Sequence, residues 1–312
     1  MSQPVLPTIR LLSALALFLL VSCFPTTPVP LQETTTPKTF ADWCLNKANS
    51  SVETLRTIDA MLKVAASQDC NQASKFLSTR TELSLDRNQI TDLNPLSTLT
   101  NLTILSLDNN QIADLKPLST LTNLTALSLN DNQITDLKPL SALTNLTNVS
   151  LYNNQIADLK PLSTLTNLTD LYLARNQIAD LKPLSILIKV TTLSLENNQI
   201  ADLKPLSTLT NLNNLSLGNN QIANLKPLST LTNLAYLSLG NNQIADLKPL
   251  STLTKLINLW LNDNQIADLK PLSTLTKLTK LYLSNNPSLT NKTCPVKPAS
   301  ICRFVPNQAD WN

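Results

Sequence analysis

Residues 102–124 read LTILSLDNNQIADLKPLSTLTNL, and the reading of this stretch settles how most of the chain must fold. Between Leu105 and Leu107 the period is two, so both leucines point to one side of an extended chain and Ser106 to the other. The turn that follows brings Asn110 inward, where its amide can satisfy backbone groups of its own loop and of the neighbouring one. An apolar residue there would leave buried polar groups unpaired. Pro117 then sets the chain for a short helical or 3₁₀ segment on the far side, and its leucines Leu118 and Leu121 return to the core. At Leu124 the frame begins again.

The same asparagine recurs at Asn88, Asn110, Asn132, Asn154, Asn176, Asn198, Asn220, Asn242, Asn264 and Asn286, always 22 residues apart. With Leu102, Leu105 and Leu107 it completes the leucine-rich-repeat pattern LxxLxLxxN. One such unit cannot bury its apolar face alone, whereas stacked neighbours share a continuous core. The expected fold is an α/β solenoid, a leucine-rich-repeat horseshoe: ten short parallel strands line the concave face, 3₁₀ or irregular segments form the convex side, and both ends need covers. The order NxI, DLxPL, LTNL resembles the 22-residue repeats of the internalins, bacterial surface proteins whose repeat region is a curved binding rod. That resemblance spans the repeats at 79–286 and implies a surface protein whose curved sheet grips a receptor. Only scaffold positions match, so no contact residue carries over.

The flanks read differently. Arg10 followed by the apolar run Leu11 to Ser22 has the form of an export signal and is too short to span a bilayer as a helix. Leu20, Val21, Ser22 and Cys23 resemble the lipobox of bacterial lipoproteins, which implies cleavage after residue 22 and acylation of Cys23. The expected location is extracytoplasmic, in the periplasm or at the cell surface, with membrane contact through the lipid anchor only. Residues 23–39 are rich in Pro and Thr and read as an extended tether. Residues 40–78 are expected to form a helical cap, because Val52, Leu55, Ile58, Met61, Leu62 and Ala65 recur at helical spacing. The repeat pattern stops at Pro287, and residues 287–312, with Ile301 and Phe304, read as a closing cap and tail. Apart from Cys23 there are four cysteines, an even number in an exported chain. Of the three connectivities, Cys44 with Cys70 and Cys294 with Cys302 is favoured, since a long rod holds its ends apart.

Composition narrows the function. A formal net charge of +3, with lysines and acids alternating along 312 residues, offers no basic surface for nucleic acid. There is no histidine, no glycine-rich phosphate loop and no thiol expected to be free, so neither catalysis nor a cofactor is expected. The recurring Asp114, Asp136, Asp158, Asp180, Asp202, Asp246 and Asp268 suggest a metal row. Each, however, precedes a lysine and a Pro-led turn, where an aspartate ordinarily caps the backbone, and no metal is expected.

Comparison of the internal copies shows where function resides. Core and convex positions barely change, whereas the positions beside the strand leucines vary. One column runs Ile104, Ala126, Asn148, Asp170, Thr192, Asn214, Tyr236, Asn258, Lys280; a second is serine except at Tyr172, Trp260 and Tyr282. The third runs Asp108, Asn130, Tyr152, Ala174, Glu196, Gly218, Gly240, Asn262, Ser284, with Arg175 and Asp263 one place later. All four tyrosines fall on this inner face, in two groups: Tyr152 with Tyr172, and Tyr236 with Trp260 and Tyr282. Ringed by Asp170, Arg175, Glu196 and Lys280, they are the expected anchors of a binding patch. The expected ligand is a protein bound by a monomer; a glycan stacked on Trp260, Tyr236 and Tyr282, or a spacer without ligand, are the alternatives.

Overall fold

The structure is a computed structural model that describes residues 39–305. The export segment 1–22, the acylation site Cys23, the tether up to residue 38 and the tail from 306 lie outside the described residues. Eleven strands form one parallel sheet in chain order, from β1 (Glu82–Ser84) through β10 (Lys280–Tyr282) to β11 (Cys302–Arg303). The repeat alone accounts for ten. The eleventh comes from the C-terminal cap, where Leu281 and Tyr282 pair with Cys302 and Arg303 although the cap carries no LxL motif. Elsewhere the register is strict, with Leu105 opposite Leu127 and Ser106 opposite Ser128.

Each strand buries its central residue and leaves its neighbours on the open inner face. Each repeat then makes a five-residue 3₁₀ segment such as Lys116–Thr120, with proline in its first turn. The aspartates before these segments act in the turn: Asp114 Oδ1 accepts the backbone N–H of Lys116 at 2.8 Å, and Asp136, Asp158, Asp180 and Asp202 do the same two residues on. Behind the strands runs the asparagine ladder. Asn154 Oδ1 accepts the N–H of Ile134, while its Nδ2 donates to the carbonyls of Leu129, Leu151 and Tyr152. One side chain thus closes its own turn and ties it to the preceding repeat.

The residue before each ladder asparagine is left-handed, with φ between 53° at Asn153 and 59° at Arg87. Asparagine and aspartate occupy most of these places because they tolerate that region better than other side chains. The least regular copy keeps the frame. Val190 takes the leucine's place in the core, while Ile186 and Ile188 stand 55% and 57% exposed where other copies carry Thr.

The N-terminal cap is three helices, α1 (Phe40–Leu45), α2 (Val52–Val64) and α3 (Cys70–Ser78). Thr39 and Asp42 form a capping box at the first, Ser51 caps the second and Asp69 the third. Helix α2 buries Ile58, Met61 and Leu62, but Val52 is 61% exposed. The face shown to the first repeat is partly polar instead: Thr54 donates to the carboxylate of Asp92 and Thr57 to its carbonyl oxygen. The Cys44–Cys70 disulfide joins α1 to α3, and Cys294–Cys302 closes the other end over Leu289 and Val296. Among the described residues no helix is long and apolar enough to cross a membrane.

Candidate binding face

Parallel pairing at a fixed register puts equivalent residues of successive strands side by side, about 4.8 Å apart. The variable columns therefore become continuous rows on the inner wall. Trp260 stands directly beside Tyr282 in register, and their rings stack with centroids 5.6 Å apart and planes within 3°. On the other side Trp260 meets Ser238, so a short side chain leaves that indole face uncovered. Tyr236 begins its strand and is 41% exposed; Lys280 begins β10 and is also exposed.

The other expected group divides. Tyr172 borders an apolar depression with Ile104, Ala126 and Asn148, toward the N-terminal end of the sheet. Tyr152 instead lies under Arg175, whose guanidinium carbon is 5.4 Å from the ring centroid. Asp170 is held within the sheet surface, accepting from Thr169 Oγ1 at 2.7 Å and Asn148 Nδ2 at 3.0 Å. Glu196 accepts from Ser194 Oγ at 2.6 Å.

Tyr152, Arg175, Glu196 and Trp260 line one shallow hollow of about 880 Å³. Its floor contains Gly218 and Gly240, the only two glycines of the chain. Neither has a positive φ, so backbone conformation does not require glycine there. A β-carbon at 218 would meet ordinary contacts, the nearest being Gly240 O at 3.4 Å. At 240 it would run into the Asn262 side chain, 2.8 Å away. Column comparison exposes these glycines; what hides their role is that glycine also reads as mere drift. Asn219 and Asn241 form the rim, their side chains joined by a hydrogen bond.

Arg175 occupies a left-handed position, φ 56°, that is asparagine or aspartate in most copies. The backbone strain and the cation–π contact with Tyr152 are each worth about 1 kcal/mol. Arg175→Ala, which loses the contact and keeps the strain, is expected to destabilise by about 1 kcal/mol, whereas Arg175→Asn should be close to neutral. Urea midpoints compared across the two variants check this; equal losses would mean that the strain is negligible.

The family model for Leucine Rich repeats (2 copies) matches residues 81–121, 122–164, 144–186, 166–209, 188–230, 210–252 and 254–293. The chain belongs to the leucine-rich-repeat proteins. Among solved structures this leucine-rich-repeat protein is similar to internalin C2 of Listeria monocytogenes, at 32% identity and a TM-score of 0.59, over 72% of this chain and 91% of that one. It is also similar to internalin InlF of the same organism, at 28% identity and TM-score 0.55, over 88% and 100% of the two chains. A third is the functional domain of Listeria monocytogenes InlJ, at 26% identity and TM-score 0.59, over 82% and 61%. The InlJ domain includes a cysteine ladder; the repeats here contain no cysteine, and their ladder is asparagine. A comparison with curated proteins found no match.

Proposed function

We propose that this protein is an exported, lipid-anchored recognition module that binds a protein partner on the inner wall of its repeat rod. The observation that carries the reading is the contrast within each repeat: the asparagine and proline positions are constant and the leucine positions change only to valine, while the open face varies and gathers the aromatic rings. Exposed aromatics with charged residues around them are the usual anchors of protein interfaces. The similarity to internalins supports a role at a bacterial surface. Export is supported by the apolar segment before Cys23 and by two disulfides, which persist in oxidising compartments.

A second reading has its own support. The uncovered face of Trp260 lies beside a hollow lined with serine hydroxyls and asparagine amides, chemistry that also suits a sugar ring. A glycan array set against cross-linking to surface proteins separates the two. For the protein reading, hydrogen exchange of the soluble fragment from Thr39 onward is compared with and without its cross-linked partner. Protection should fall on the strand residues and the loops that follow them. Protection confined to the convex 3₁₀ segments would reject the inner wall as the site.

A further inference from the structure

The first repeats show what the third variable column does when its side chains are short and polar. Asp86 Oδ1 accepts from Ser106 Oγ at 2.7 Å and from the N–H of Asp108 at 2.8 Å, both in the next repeat. Asp108 repeats this with Ser128 Oγ and the N–H of Asn130, both at 2.7 Å. Asn130 continues it with Ser150 Oγ at 2.6 Å and the N–H of Tyr152 at 2.9 Å. Being an amide, Asn130 also uses its other end: Nδ2 donates back to Asp108 Oδ2 at 3.2 Å. Each link joins a serine hydroxyl and a backbone N–H to one oxygen.

The chain of links stops at Tyr152. Four repeats beyond Asn130 the frame recurs with its donors intact and its acceptor removed. Ser238 stands for Ser150, Gly240 for Tyr152 and Glu196 for Asp108, but Gly218 stands for Asn130. The Ser238 hydroxyl and the Gly240 N–H therefore have no acceptor among the described residues, and both line the hollow. Glu196 leans over from the preceding repeat, its Cγ 3.8 Å from where a β-carbon of residue 218 would lie. Beside Ser238 is the uncovered face of Trp260.

We propose that the hollow is a subsite for a carboxamide: an asparagine or glutamine side chain of the protein partner takes the place that Asn130 fills four repeats earlier. Its oxygen accepts from Ser238 Oγ–H and Gly240 N–H, its NH₂ donates to the Glu196 carboxylate, and its apolar stem lies against Trp260. Asp86 and Asp108 show that a carboxylate suits the donor pair itself. Here Glu196 and Asp263 line the same hollow against the single cation Arg175, so a third negative charge is disfavoured and a neutral amide preferred. This assignment rests on the inner-wall reading and names the chemistry of one contact within it.

The chain's two glycines make the test direct, because nitrogen-15 glycine labelling of the protein gives two amide resonances, both from the floor of the hollow. Propionamide should move the Gly240 resonance, and propionate should not. Gly218→Asn supplies the amide within the chain: it should slow Gly240 amide exchange by roughly tenfold and abolish the response to propionamide. The proposal is overturned by a wild-type spectrum unmoved by propionamide, by one moved equally by propionate, or by Gly240 exchange unchanged in Gly218→Asn. N-acetylglucosamine acting at lower concentration than propionamide would overturn it in favour of a sugar acetamide. The titration needs no partner, so its failure leaves the inner-wall reading standing, while that reading fails separately if partner protection falls on the convex side.

Discussion

Replacing Asn154 with alanine is expected to lower the stability of the repeat rod by about 3–5 kcal/mol, more than any single change on the inner wall. The side chain is 8% exposed and engages four backbone groups: the N–H of Ile134 and the carbonyls of Leu129, Leu151 and Tyr152. Alanine cannot replace any of these bonds. A buried group left unpaired costs about 1–3 kcal/mol, and the Ile134 N–H and Leu129 carbonyl belong to the preceding repeat. The damage therefore falls on the seam between two repeats. In a stacked array, where each unit depends on its neighbours, weakening one seam uncouples the two sides. Urea unfolding followed by circular dichroism should show an earlier and broader transition. Asn154→Asp tests the account from another side, since it keeps an acceptor for Ile134 but loses the donor to three carbonyls. A loss below about 1 kcal/mol for the alanine variant would mean that the ladder closes turns without joining repeats.

The solenoid was legible from residues because the physics that builds it is local and repeated. A period of two in Leu105–Leu107, an inward Asn110 and a proline at 117 constrain one turn, and the constant spacing copies that turn along the chain. At the left-handed positions asparagine or aspartate mostly stands where glycine would otherwise be needed, and nothing in the sequence flags Arg87 and Arg175 as sharing that conformation. Where the repeat ends, so does the legibility. The eleventh strand is made by Cys302 and Arg303, residues without strand pattern, because the last open edge of the sheet offers hydrogen bonds to whatever chain the disulfide holds beside it. Similarly, α2 meets the first repeat through Thr54 and Thr57, which an apolar-periodicity argument assigns to no face, while Val52 stays outside.

On the inner wall the rows themselves could be read, since alternation about a buried leucine places every variable column. What alternation cannot supply is which members of a row meet across strands. Trp260 and Tyr282 stack because their strands pair in register, whereas Tyr152 and Tyr172, close in sequence, belong to different columns and border different depressions. Nor does alternation reveal that a missing side chain matters. The meaning of Gly218 lies in what Asn130 does at the equivalent point, and hydrogen-bond geometry was needed to expose it.

Serine at Tyr236, Trp260 and Tyr282 together is expected to weaken binding of the protein partner roughly a thousandfold, about 4 kcal/mol, with little change in the unfolding transition. All three project from the sheet away from the leucine core, and Tyr236 is 41% exposed. Their contribution to the fold includes the Trp260–Tyr282 stack, worth about 1 kcal/mol. Their contribution to an interface is larger, because rings already stacked lose little freedom when a partner covers them. The control is the convex side, where Ile186 and Ile188 are the most exposed apolar residues of the repeats, 55% and 57%, yet stand apart from the aromatic rows. Ile186→Thr with Ile188→Thr restores the residue type of other copies and should leave affinity unchanged when the partner is titrated against both variants. If the threonine pair abolished binding and the serine triple did not, the partner would sit on the outer surface, and the variation along the inner wall would be drift that packing leaves unconstrained.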